Sequence, residues 1–150
     1  MPIERTLILI KPDARKKRIT GLVIDRLEAA GLELVAAKVV NVSEELAKEH
    51  YRDLKNEPFF KNIVKFIRGE FQNISMHRVL ALIYEGENAI SKIRKVVGAT
   101  NPEEAEPWTI RGAFGEIKDG RMENAVHASS NAKEAEREIA LWFSQKEIVD

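Results

Sequence analysis

Apolar positions along the chain fall into short continuous runs separated by amphipathic stretches, and the change of period marks the elements. Residues 6–10, Thr-Leu-Ile-Leu-Ile, form a β-branched run closed by Lys11-Pro12. That pattern predicts a buried central strand ended by a proline turn, with Lys11 left at the strand's end. Over residues 22–30 apolar side chains recur at helical spacing, and Gly31 closes the segment as a C-cap would. A strand resumes over 32–42. Ser43-Glu44-Glu45-Leu46 then opens a helix with an acidic first turn, running to about Lys55, and Pro58-Phe59-Phe60 opens another. Residues 79–84 are a second wholly apolar strand, and 89–97 a further amphipathic helix. Turn formers make 98–107 an irregular loop. A short strand is expected over 114–117, then a polar turn at 118–121, then a strand fragment, Ala125-Val126, that delivers His127. Asn131, followed three residues later by Glu134, resembles a capping box that starts a helix reaching Phe143.

The order β-α-β-α-β-α-β predicts an α+β fold. The best match is a ferredoxin-like sandwich, a four-stranded antiparallel sheet with helices packed against one face. No repeat, low-complexity segment or linker divides the chain, so one domain over 1–150 is expected.

Composition narrows the chemistry. Lys plus Arg and Asp plus Glu both number 24. No general field therefore draws the chain onto nucleic acid or an anionic membrane, and any anion must be held by a local cluster. The basic run Arg15-Lys16-Lys17-Arg18 reads as a solvated face at a helix start, since it lacks the interleaved aromatics of a nucleic-acid patch. Glu103-Glu104-Ala105-Glu106 reads as an exposed loop. There is no cysteine, and the three histidines are far apart in sequence, which argues against disulfides, thiolate chemistry and a zinc site. Met-Pro-Ile-Glu-Arg has no signal pattern and no apolar run is long enough to span a membrane, so a soluble cytoplasmic protein is expected.

His127 lies in Asn124-Ala125-Val126-His127-Ala128-Ser129, among small and apolar neighbours. An imidazole with an ordinary pKa near 6.5 is substantially neutral in a cell, and it serves as a nucleophile toward phosphorus or as a proton carrier. A structural histidine bonded to a backbone carbonyl fits the same local pattern. No Walker motif, Gly-x-Gly-x-x-Gly or Asp-Phe-Gly is present, which excludes the P-loop and protein-kinase machines. Cations do fall near loop and strand ends: Lys11, Arg94 and Arg111. Guanidinium forks grip phosphate oxygens in pairs, and ammonium acts as a point charge.

Lys11-Pro12-Asp13, Pro58-Phe59-Phe60, Gly98-Ala99-Thr100-Asn101-Pro102, Thr109-Ile110-Arg111-Gly112, the segment 124–129 and Glu138-Ile139-Ala140-Leu141-Trp142-Phe143 occur in this order. In that order the chain resembles the nucleoside diphosphate kinases over nearly its whole length. The resemblance implies that a nucleoside triphosphate gives its terminal phosphate to His127, which passes it to a nucleoside diphosphate in ping-pong fashion. It also implies that Glu138 and Ser129 orient the histidine, and that Lys11, Arg94, Thr100 and Arg111 hold phosphates and sugar. Asn124 would contact the ribose, Tyr51 the pocket's edge, and Phe59 the base by stacking, which tolerates purines and pyrimidines alike. Magnesium would arrive on the nucleotide phosphates, with no metal ligand from the protein. A homo-oligomer (hexamer, tetramer or dimer) is implied, although the chain stops at Asp150, before the tail many members use in subunit packing. The alternative is a non-catalytic nucleotide-binding or regulatory module on the same scaffold.

Departures from the family pattern are local. Arg18 and Trp108 stand where glycine is usual, and Ala113 where aspartate is; Ser130-Asn131 replace Asp-Ser. Extra residues lie at 69–78 and 116–123, and the second set threatens to move Asn124 and His127 relative to the cations. A displacement of about 1 Å can cost about a hundredfold in rate.

Overall fold

A computed structural model of the chain describes residues 2–72 and 78–149. In chain order the elements are β1 (Ile3–Ile10), α1 (Pro12–Lys16), α2 (Thr20–Glu28), β2 (Glu33–Asn41), α3 (Glu44–His50), α4 (Phe60–Ile67), β3 (Arg78–Glu87) and α5 (Ala89–Val97). Then follow α6 (Ile110–Phe114), β4 (Glu116–Lys118), β5 (Arg121–Glu123), β6 (Val126–Ala128) and α7 (Ala132–Trp142). The main sheet has the order β2-β3-β1-β6 with every neighbouring pair antiparallel, which is the ferredoxin-like arrangement expected.

Helices cover both faces of the sheet, not one. Ile8, Ile10, Leu82 and Tyr84 point into one core with residues of α1, α2, α5 and α6. Leu7, Leu9, Ala81 and Ile83 point into a second core with α3, α4 and α7. The physical reason is already visible in β1: four consecutive apolar residues leave no face for water, so both must be covered. Burying each such side chain contributes roughly 1.5–3 kcal/mol.

Local rules explain most boundaries. Ser43 caps α3 by accepting from Leu46 N at 3.0 Å, and Thr109 caps α6 by accepting from Gly112 N at 3.1 Å. Asn131 accepts from Glu134 N at 2.9 Å and starts α7. The reciprocal half of that capping box is replaced by an ion pair, since Glu134 turns to Arg137 at 3.0 Å. The helix expected to reach Lys55 ends as α3 at His50, where Arg137 of α7 donates to the carbonyls of Glu49 and His50 and a 3₁₀ turn (Arg52–Leu54) follows. The stretch 114–117 divides: Phe114 ends the unforeseen helix α6, and the strand begins at Glu116.

The departures prove to be accommodated. Arg18 adopts φ 60°, the left-handed conformation that glycine takes most readily. The basic run lies at the C-terminal end of α1 rather than at a helix start, where cations complement the helix dipole. Lys17 there reaches the Phe114 carbonyl at 3.2 Å and Glu116 at 3.3 Å. Gly112 admits no side chain, because a Cβ would sit 2.0 Å from the Glu106 carbonyl oxygen. The extra residues at 116–123 form the hairpin β4-β5, turned by Asp119 and Gly120 at φ 50° and 76°, the signature of a tight Asp-Gly hairpin turn. Of those at 69–78, residues 73–77 lie outside the described residues.

Candidate active site

β6 places His127 beside Leu9 of β1 at the end of the sheet. Its Nε2 lies 2.9 Å from Oε1 of Glu138 on α7, and Ser129 donates its hydroxyl to the same oxygen at 2.7 Å. Ser129 is itself fixed to β1, accepting from Leu7 N at 3.1 Å and donating its own N–H to the Leu7 carbonyl at 3.1 Å. Burial pulls the Glu138 carboxyl upward, but the bonds from His127 and Ser129, with Arg137 nearby, hold it below the usual range. It is therefore a carboxylate, and a carboxylate opposite Nε2 favours the tautomer with the proton on that nitrogen. Nδ1 is then left with its lone pair, on a ring that is 20% exposed beside a cleft shared with Tyr51 and Leu54.

The strand-to-loop junction before His127 is strained. Ala125 has φ 70°, and Val126 N donates back to the Asn124 carbonyl at 2.8 Å, closing a three-residue γ-turn. For a residue other than glycine such a backbone costs about 1–3 kcal/mol and persists only where its surroundings over-determine it. Here they do. Asp13 accepts from Ala125 N at 2.9 Å, and Lys11 N donates to the Ala125 carbonyl at 2.9 Å.

The cations converge on this turn. The Lys11 ammonium donates to Oδ1 of Asn124 and lies 5.2 Å from the centre of the Phe66 ring. Burial lowers its pKa to about 8, with Asp13 opposing and Arg111 assisting the shift. Asn124 passes its amide to the Thr100 carbonyl at 2.9 Å. Arg111 donates to the carbonyls of Gly98 and Val126 at 3.1 and 2.9 Å while its Nε has no partner. Burial, with the field of Arg94, lowers its pKa to about 10. Tyr51 is pushed upward by burial and then by Glu138. The hairpin has thus not displaced Asn124 from Lys11. Phe59 is an exception among the expected residues: it stands at the N-cap of α4, 46% exposed, and its place at the cleft rests on the resemblance.

Three contributors escaped the sequence reading. Asp13 clamps the γ-turn, Arg137 ties α7 to α3, and His50 meets His127 ring to ring at 4.5 Å and 81°. His50 and His127, far apart in sequence, are neighbours in space. Donor atoms of His50, His127 and Glu138 lie within 4.8 Å of one another, a metal-like set. The tautomer does not suit a metal, however. Trp142 donates to His50 Nδ1 at 3.0 Å, so Nε2 carries the proton and has no lone pair to give.

The family model for nucleoside diphosphate kinase matches residues 4–148. The chain belongs to the nucleoside diphosphate kinase family. A nucleoside diphosphate kinase of Symbiobacterium thermophilum is 48% identical over 145 residues, covering 97% of this chain and 90% of the relative. One from Methanosphaera stadtmanae is 44% identical, covering 98% and 90%. Among solved structures, the Aquifex aeolicus nucleoside diphosphate kinase superposes with a TM-score of 0.86 at 38% identity, over 99% of this chain and all of that one. The Borrelia burgdorferi nucleoside diphosphate kinase, solved with vanadate and ADP as a transition-state mimic, gives 0.87 at 36% identity, over 99% and 91%.

Proposed function

We propose that this chain is a working nucleoside diphosphate kinase, with His127 as its phosphate carrier. The observation that carries the reading is the bond from His127 Nε2 to Glu138, which leaves Nδ1 as the free nucleophile. Nδ1 attacks the terminal phosphorus of a nucleoside triphosphate, the N–P bond forms as the bridging P–O bond breaks, and the diphosphate leaves. A terminal oxygen of the second nucleotide then attacks the phosphohistidine in the reverse sense, so the kinetics are ping-pong. Glu138 offsets the positive charge that develops on the ring, and Ser129 holds Glu138. That a relative was solved with vanadate and ADP supports in-line transfer on this scaffold.

Lys11, Arg94 and Arg111 supply the charge that phosphates require, Thr100 and Asn124 the contacts to phosphate and sugar, and Tyr51 the edge of the pocket. Phe59, exposed, offers a face that any base can stack on. Mg2+ enters on the nucleotide as part of the substrate; of the carboxylates near Lys11, Asp13 is engaged with Ala125 and Glu123 is buried. Catalysis is then mostly positioning and charge neutralisation.

Assembly and location belong to the same reading. β2 is an edge strand with Leu34 and Val39 exposed, a surface suited to a second copy in a homo-oligomer. No helix among the described residues is long and apolar enough to cross a membrane, and a cytoplasmic enzyme of one domain is part of the same proposal.

Incubation with γ-labelled ATP and magnesium should give an acid-labile, alkali-stable phosphoprotein that passes its label to dGDP or UDP. His127→Ala should take no label; retained labelling in that variant, or no transfer to either acceptor from the unaltered chain, would reject the reading.

A further inference from the structure

The two sets of extra residues, at 69–78 and 116–123, meet each other. Phe71 belongs to the first and Arg121 to the second, and the guanidinium carbon lies 4.4 Å from the ring centre. Phe71 in turn stands 6.5 Å from Phe66, the ring over which the Lys11 ammonium sits. Arg121 also approaches Glu123 at 4.0 Å, and Glu123 is buried within the field of Lys11 and Asp13.

A hairpin such as β4-β5 needs this kind of anchor. It forms a two-stranded sheet of its own, apart from the main one, and isolated two-stranded hairpins are marginal in water. Its first strand is held by Lys17, through Phe114 and Glu116. Its second strand ends at Glu123, one residue before Asn124, whose side chain meets Lys11. What holds the second strand therefore governs where Asn124 stands. Arg121 is part-buried, its Nε is buried without a hydrogen-bond partner, and the face of Phe71 is the surface it covers. A guanidinium over an aromatic face is attracted by the ring quadrupole, more strongly as water is excluded.

We propose that Phe71 and Arg121 form a brace between the two extra segments, and that this brace sets the position at which Asn124 meets Lys11 in the nucleotide cleft. Both are positioning residues, and the inference rests on the reading of Lys11 and Asn124 as nucleotide-holding groups. Because they act on binding geometry and not on the histidine, their loss should raise KM more than it lowers kcat.

The test uses the full chain with ATP and dGDP. Phe71→Leu removes the π-face but keeps an apolar side chain, and Arg121→Met removes the charge but keeps length. Each should raise the nucleotide KM roughly three- to thirtyfold, with kcat within about threefold. The double variant should be no worse than the worse single one, because one contact is lost in all three. Phe71→Tyr and Arg121→Lys, which keep ring and cation, should restore most of the KM and guard against variants that simply fail to fold. Unchanged KM in both single variants, multiplying effects in the double, or no recovery with Tyr and Lys would each overturn the brace. Failure of the unaltered chain to label His127 would instead reject the enzyme reading, so the two failures are distinguishable.

Discussion

Trp142 donates its indole N–H to Nδ1 of His50 at 3.0 Å, and so the ring packed edge-on against His127 is anchored to the last turn of α7. The bond requires His50 to be unprotonated at Nδ1. Burial acts in the same direction, driving its pKa well below 6.5, with the charges of His127, Arg137 and Lys11 adding to the effect.

Acid should therefore destabilise the fold through His50. The unfolded chain takes a proton at this histidine that the folded chain refuses, so its contribution to stability is complete above pH 6.5 and diminishes as the pH falls below it, by up to about 1.4 kcal/mol per pH unit. His50→Phe should remove that slope, at a cost of about 1–3 kcal/mol near neutrality for the stranded indole N–H. Urea midpoints at about pH 7.5 and about pH 5.5 decide it. A variant as acid-sensitive as the original chain would show that His50 is not the group responsible.

Lys11 gives the opposite limb. With its pKa lowered to about 8 by burial, the ammonium is present below that pH and is lost as the pH rises through it. For the free enzyme kcat/KM should accordingly decline above about pH 8, approaching tenfold per unit. In Lys11→Met the value should be low throughout and this limb absent. A profile for the unaltered enzyme that stays level to about pH 9.5 contradicts the assignment.

Glu138→Gln tests the charge behind the ring. The amide still reaches His127 and Ser129, but it cannot offset a cationic phosphohistidine, and its NH2 can donate to Nε2 and move the ring proton to Nδ1. The first phosphorylation should slow by about a hundredfold or more, as when an orienting carboxylate is lost from a triad. Nucleotide affinity should change little. Single-turnover labelling gives the rate and a titration gives the affinity; a variant that labels at the original rate removes Glu138 from the mechanism.

Much of this was legible along the chain, and the exceptions have physical causes. β1 and β3 are legible because their apolar runs are unbroken, and α5 because its apolar residues recur at helical spacing. The Asn131 cap was found because its signal is local, confirmed in the bond to Glu134 N. The five-residue helix α6 was not: it is too short for a period, although Thr109 and Gly112 marked its start. Coverage of both sheet faces was misjudged even though the apolar run in β1 already required it. In the site, His127 stood out by its surroundings, and its partners by resemblance. His50 did not, since on the polar helix Glu-Glu-Leu-Ala-Lys-Glu-His it looks like one more hydrophilic residue, and its partner Trp142 is far away in the chain. Asp13 belongs to the Lys11-Pro12-Asp13 segment, but the γ-turn it clamps depends on a left-handed alanine that composition cannot announce.

Ser129 joins the carboxylate behind the reactive ring to both the amide and the carbonyl of Leu7, in the middle of the innermost strand. The reagent is consequently bolted to a central strand of the sheet, while Phe59, Thr100 and Asn124 stand on turns and loops outside it. Warming or mild denaturant should slacken the grip on nucleotide long before it disturbs the histidine, so the enzyme ought to fail first by losing its affinity and only last by losing its chemistry.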